Sequence, residues 1–350
     1  MLRMVYFRYF NRRIFSICKK HIIIFILLLS LFYVYYVEIL SHVYNERNWF
    51  HIECSNTSKC LKILLVADPQ IIEHEEKDIW NHLRFITKYD SDSYLKKTYR
   101  HALNFAQPDV TIFLGDLMDE GSIATDEEYN ENLNRFFNIF PKQDDNKHIW
   151  IPGDNDIGGE GLERITPKKI NRFMSNFDQA DVIEFEQVTF LKVNYLTHSV
   201  PKYKKGNFYN TSMINIALSH VPLMFVPSVF VEKVMSHLQP QLIFAGHKHR
   251  AMIISTSAFL RQDRHIVPIT TEYNKVFKFT LGLNDVYEIL VPTCSYRMGT
   301  ENIGFGYAVI ENDELKYTVL WSPSRFHQLW NYIFVLLMLL VCFIIIKFYK

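Results

Sequence analysis

The chain has 350 residues, and its 38 Lys and Arg nearly cancel its 37 Asp and Glu, leaving a formal net charge of +1. That length accommodates one large domain or two small ones. The charge balance excludes the basic excess that marks a nucleic-acid-binding chain, so no nucleic-acid partner is expected.

Residues 1–20 carry Arg3, Arg8, Arg12, Arg13, Lys19 and Lys20 with no acidic residue, a tail suited to anionic headgroups of membrane lipids. His21 to Val37, HIIIFILLLSLFYVYYV, has no charge beyond its leading His. A bilayer-crossing helix needs about 20 apolar residues. The run is longer than the apolar core of a cleaved signal and no A-x-A-like site follows, so residues 21–40 predict an uncleaved transmembrane helix. Leu329 to Ile346 predicts a second (residues 329–346), and Lys347 and Lys350 behind it argue against a removed lipid-anchor signal. The basic flank places the N-terminus in the cytosol. Residues 41–325 are then lumenal, and residues 347–350 return to the cytosol. Asn56 and Asn210 each begin an Asn-Thr-Ser sequon. Cys54 and Cys60 flank a short polar loop that an oxidising lumen would allow to close; Cys18 and Cys342 fall at or in the spans, and Cys294 stands alone.

The lumenal part repeats one pattern: a short apolar run that ends in polar, turn-forming residues. LKILLVADPQ ends at Asp68 and Gln70, and DVTIFLGDLMDEG at Asp116, Asp119 and Glu120. HIWIPGDND ends at Asp154, Asn155 and Asp156, MINIALSHVP at His220, and QLIFAGHKHR at His247 and His249. Short β-branched runs bounded by Gly and Pro read as buried strands. Helical stretches separate them, such as Tyr94 to Gln107 and Asn130 to Ile139. Strands alternating with helices imply an α/β fold with a mostly parallel sheet, whose strand C-termini form the ligand crevice. Five strand ends then bring carboxylates and imidazoles to one edge, which predicts a metal site.

Carboxylate and imidazole donors without Cys suit Mn²⁺, Fe²⁺ or Zn²⁺. The candidates are too many for one catalytic ion with an open position. Two divalent ions sharing a carboxylate use such a set for phosphoryl chemistry, and Asp116, preceded by a permissive Gly, is the expected shared ligand.

These motifs, in this order, resemble the calcineurin-like metallophosphoesterases: Asp68-Pro69-Gln70, Gly115-Asp116-Leu117-Met118-Asp119, Gly153-Asp154-Asn155-Asp156, His220, and Gly246-His247-Lys248-His249. The resemblance implies an αββα sandwich of mixed sheets between the two terminal membrane helices. It extends to the metallophosphoesterase 1 family through LGDLMDEG, GDNDIG, the late VPTCSYRMG and the two-span architecture. That family implies a manganese-dependent enzyme of the early secretory pathway. Its substrate is the anchor of GPI-anchored proteins, from which it removes an ethanolamine-phosphate branch on a mannose, licensing cargo for export. Carried over, the resemblance implies that Asp68, Asp116 and His249 hold the first ion, and that Asp116, Asp154, His220 and His247 hold the second.

Two positions depart from the superfamily pattern. Gln70 stands where His is usual and offers at best a weak carbonyl ligand. In the third motif the usual metal-binding Asn is Asp154 and the usual His is Asn155; with the turn shifted by one residue, Asn155 itself would be the ligand. Asn155 cannot donate a proton, so the acid is left among metal-bound water, Asp156 and a His such as His74. Arg250 and the Tyr296–Arg297 pair are candidate substrate contacts, against the plain alternatives of a solvated Arg and an ordinary loop. The competing functions are a phosphoesterase for another lumenal phospholipid or nucleotide, and a GPI-glycan-binding escort with weakened chemistry. ER versus Golgi residence stays open.

Overall fold

A computed structural model of the chain describes residues 21–55, 60–72, 81–143, 146–203, 213–225, 227–258, 263–282 and 284–348. The basic tail, the sequon asparagines Asn56 and Asn210, and the His74–Asp78 stretch lie outside the described residues. The chain forms two compact units, one of Met1–Arg47 with Pro323–Lys350 and one of Asn48–Ser322.

In the terminal unit, the helices His21–Glu46 and Arg325–Phe348 each contain a stretch long and apolar enough to cross a bilayer. Tyr33 meets Tyr332 edge to face at 5.8 Å. Arg325 Nη1 donates to Glu38 Oε1 at 2.8 Å, and the Tyr332 hydroxyl donates to the same oxygen at 2.9 Å.

The second unit is built from thirteen strands among the described residues. In chain order they are β1 (Cys60–Val66), β2 (Val110–Phe113), β3 (Lys147–Trp150), β4 (Val182–Phe185), β5 (Val188–Lys192), β6 (Ile214–Ser219) and β7 (Leu242–Ala245). There follow β8 (Met252–Ser257), β9 (Arg264–Pro268), β10 (Phe277–Thr280), β11 (Asp285–Leu290), β12 (Gly304–Glu311) and β13 (Glu314–Trp321). They make two sheets, ordered β10-β13-β12-β1-β2-β3 and β4-β5-β6-β7-β11-β8-β9.

β1, β2 and β3 run parallel, while β12 pairs β1 and β13 antiparallel. In the second sheet β5, β6, β7 and β11 run parallel and are edged by antiparallel β4, β8 and β9. The expectation of a mostly parallel sheet therefore gives way to two mixed sheets. The antiparallel pairings of β8, β9, β10, β12 and β13 follow the last motif, where among the described residues no helix intervenes to force a parallel crossover.

Alternation along β1 explains the layering. Leu61, Ile63 and Leu65 enter the core between the sheets with Ile112, Ile149, Phe190, Ile216, Leu218 and Phe244. Leu64 and Val66, on the opposite face, pack against Leu95, Tyr99 and Ala102 of the helix Asn81–Ala106. On the second sheet, Ala217 and Ile243 likewise face Val231, Val234 and Leu238 of the helix Val229–Leu238. This is an αββα sandwich, with the central strands of each sheet buried on both sides. The helix Asp126–Ile139 starts at a capping box, where Thr125 and Glu128 satisfy each other's backbone N–H. Cys54 and Cys60 form a disulfide, with Cα atoms 6.0 Å apart.

Candidate metal centre

The five polar turns follow the C-terminal ends of β1, β2, β3, β6 and β7, and the sandwich brings them together at one edge. The sheets are tied there by backbone, since Cys294 N–H donates to Ala67 carbonyl at 3.1 Å. Thr293 Oγ1 also donates to the Asp68 carbonyl at 2.7 Å. Five polar side chains turn inward through a left-handed backbone: Asp68 (φ 48), Gln70 (φ 39), Asp116 (φ 51), His247 (φ 66) and His249 (φ 57). Such conformations are uncommon for non-glycine residues and gather at functional sites.

Two overlapping donor sets result. Asp116, Asp154, His220 and His247 offer ligand atoms within 4.8 Å of one another, and so do Asp68, Asp116 and His249. Asp116 belongs to both. Its Oδ1 accepts from Asn155 N–H at 3.0 Å and lies 3.4 Å from His220 Nε2, and its Oδ2 accepts from Gln70 Nε2 at 3.1 Å. His220 Nδ1 lies 2.7 Å from the Leu114 carbonyl, an arrangement that puts the proton on Nδ1 and leaves Nε2 facing Asp154 Oδ1 at 2.8 Å. His247 Nδ1 lies 3.3 Å from the same Asp154 oxygen. The Asp154 side chain, and not that of Asn155, therefore meets the imidazoles.

Asp68, Asp116 and His220 are all at most 3% exposed, so their charges have little water to screen them. Burial pushes Asp68 up to about 8, and the neighbouring Asp116 and Asp154 add to the rise. Burial likewise pushes Asp116 up to about 6. For His220 burial favours the neutral ring, but Asp116, Asp154 and Asp68 outweigh it and raise its pKa to about 10. Burial also opposes ionisation of Asp154, yet its bonds to His220 and His247 hold it well below the usual carboxylate range. Three carboxyl groups thus crowd a buried pocket in which the His220 ring is a neighbouring positive partner. A divalent cation supplies that charge directly, and the donor chemistry fits one.

Asp156, expected as a candidate acid, is placed elsewhere. Its carboxylate accepts from the backbone N–H groups of Leu117 (3.0 Å), Met118 (3.2 Å) and Gly153 (2.9 Å). It is 2% exposed and braces the second and third turns against each other. Tyr296, expected at the substrate mouth, is also buried; it packs edge to face on Tyr94 and donates to Asp90 at 2.9 Å. Arg297 bonds Asp119 Oδ2 at 3.0 Å and the Gln70 carbonyl at 3.3 Å, which ties its guanidinium to the wall of the centre. Arg250 is exposed beyond His249.

Two supporting residues escaped the sequence reading. One is Thr293, described above. The other is Glu288 of β11, fully buried, whose carboxylate accepts from Leu223 and Met224 N–H at 2.6 and 2.9 Å and so fixes the turn after His220. A carboxylate within the otherwise apolar run VYEIL was the available signal.

A family model of the calcineurin-like phosphoesterases matches residues 61–251, a stretch that holds every donor named above. Metallophosphoesterase 1 of Danio rerio is 26% identical over 163 residues, covering 46% of this chain and 39% of that protein. Metallophosphoesterase 1 of Ailuropoda melanoleuca is 25% identical over 191 residues, covering 53% of this chain and 45% of that protein. Cell division control protein 1 of Saccharomyces cerevisiae is 29% identical over 120 residues, covering 34% of this chain and 24% of that protein. The chain thus aligns with less than half the length of each of these relatives. Among solved structures, a metallophosphoesterase from Sphaerobacter thermophilus is 12% identical with a TM-score of 0.37, covering 74% of this chain and 88% of that one. The Pseudomonas putida nuclease MPE is 14% identical with a TM-score of 0.29, covering 70% and 83%. With the family's model spanning more than half of its residues and all of its clustered donors, the chain belongs to the calcineurin-like phosphoesterases.

Proposed function

We propose that this chain is a membrane-anchored phosphodiesterase that uses two divalent ions, Mn²⁺ by preference over Fe or Zn. Its substrate is the GPI-anchor glycan, from which it removes an ethanolamine phosphate carried on a mannose. The observation that carries the hydrolase reading is the pair of donor sets sharing Asp116. When bound, divalent ions supply Lewis-acid charge to the phosphoryl group. The chain's own residues hold that charge in place: Asn155 N–H fixes Asp116 Oδ1, and the Leu114 carbonyl orients His220. Asn155 Nδ2, 3.4 Å from Asp116 Oδ2, can orient a phosphate oxygen but cannot protonate a leaving alkoxide.

The substrate assignment draws on the relatives named Metallophosphoesterase 1 and on the family resemblance of the motifs. Two long apolar terminal helices suit a lipid-embedded substrate, keeping the centre near the membrane. The Cys54–Cys60 disulfide suits a catalytic unit in an oxidising lumen with both termini cytosolic. Early secretory residence and export of GPI-anchored cargo follow from the same reading.

Mass spectrometry of GPI glycans in cells lacking the chain tests it. Re-expressed wild type is expected to strip the ethanolamine phosphate, and Asp116→Asn to leave it. Equal restoration by both would replace the hydrolase by a glycan-binding escort.

A further inference from the structure

The two donor sets are unequal, and the difference lies at Gln70. One set offers two carboxylates and two imidazoles; the other offers two carboxylates and the single imidazole of His249. First-row divalent ions are held by the number and kind of such donors, so the four-donor set is the stronger on composition alone.

At the three-donor set stands a neutral amide. Gln70 Nε2 lies 3.1 Å from Asp116 Oδ2 and 3.4 Å from His249 Nε2. An N–H group there presents a cation with the wrong end of its dipole. Which end of an amide faces a partner is set by hydrogen bonding, and a carboxylate without a cation selects the N–H end. A cation reverses that preference and requires Oε1 to face inward. The backbone beneath is fixed, because Gln70 N–H donates to the Asp116 carbonyl at 3.0 Å and its own carbonyl accepts from Arg297 at 3.3 Å. The terminal amide torsion of Gln is soft and roughly two-fold, so the turn can occur without moving the chain.

We propose that Gln70 is an amide latch that makes the two metal positions functionally distinct. The Asp116–Asp154–His220–His247 set keeps a resident ion. The Asp68–Asp116–His249 set takes an exchangeable ion, and only with the Gln70 amide turned. The enzyme then responds to free metal concentration through its second ion. This rests on the metal-dependent reading above but not on which phosphoester is cleaved.

The test is a Mn²⁺ titration of the full-length, chelator-stripped protein in detergent, with bound ion read by electron paramagnetic resonance. Two steps are expected, the second about 10- to 100-fold weaker, the scale on which supporting groups alter metal affinity. Dialysis should leave one equivalent. Gln70→His should strengthen the second step and leave the first unchanged, whereas Asp154→Ala, which removes the oxygen donor altogether, should abolish the first; thermal unfolding of the ion-free variants checks that each folds. Two equivalents bound with equal affinity, or a second step unmoved in Gln70→His, would overturn the latch and leave the metal-dependent reading standing. No binding at any concentration would overturn both.

Discussion

Gly153 approaches Asp116 so closely that a β-carbon built on it would lie 2.1 Å from Asp116 Oδ1 and 2.4 Å from Asp116 N. The third turn can therefore deliver Asp154 to the cluster only if the residue before it has no side chain. Overpacking of this kind costs about 1–3 kcal/mol, and here it falls on the shared carboxylate. Gly153→Ala is expected to lower the melting temperature and to abolish metal-dependent hydrolysis; calorimetry with an activity assay checks both.

Asp156 gives a contrasting prediction. Its carboxylate serves three backbone amides, and a buried donor left unmatched costs about 1–3 kcal/mol. Asp156→Asn should destabilise the fold and weaken metal binding. The acid limb of the pH–rate profile is expected to keep its midpoint, because the carboxyl faces backbone amides of the second and third turns. A shifted midpoint at unchanged stability would restore it as the acid.

Glu288 predicts a pH effect on stability. Burial raises its carboxyl from 4.5 to about 7 in the folded chain. Between those values the folded state holds a proton that the unfolded state has released, so stability falls as pH rises through that window. Glu288→Gln should remove this slope. Across pH 5 to 8 the melting temperature of wild type should fall relative to that of the variant as pH rises. Parallel curves would contradict the buried, protonated carboxyl.

Ion removal should act on the same cluster. In the ion-free chain Asp68, Asp116 and Asp154 have His220 as their chief counter-charge. A ligand at 100 times its Kd stabilises by about 2.7 kcal/mol, so chelation should lower the melting temperature and added Mn²⁺ should restore it. The restoration should shrink at acidic pH, where carboxylates protonate and release the ion.

The strand ends of the centre were legible in the sequence because each apolar run stops at a polar turn, and five stops in order carry more information than any one. Asp68, Asp116, His220, His247 and His249 could be located from that punctuation alone. The orientation of the third turn could not, because Asp154, Asn155 and Asp156 are adjacent and chemically similar. Only the packing of Gly153 on Asp116 selects Asp154 for the imidazoles and turns Asp156 onto backbone amides. Tyr296 was misplaced for a related reason: the loop after β11 runs inward beside Ala67, so its ring is buried while the neighbouring Arg297 bonds the wall of the centre. Among the described residues, the six strands after His249 were the least visible, since antiparallel pairing is decided by contacts distant in sequence, such as β1 with β12.

Asp116 serves both donor sets of this calcineurin-like phosphoesterase. Hydrolysis of a chromogenic phosphodiester by the full-length, metal-stripped protein, with and without added Mn²⁺, measures it most directly. Asp116→Asn is the informative variant, because Asn tolerates the left-handed backbone at this position. Wild type should depend on the ion, and the variant should lose about 100-fold or more, the scale of removing one preorganised electrostatic group. Hydrolysis that proceeds without the ion, or that survives intact in Asp116→Asn, would contradict the account.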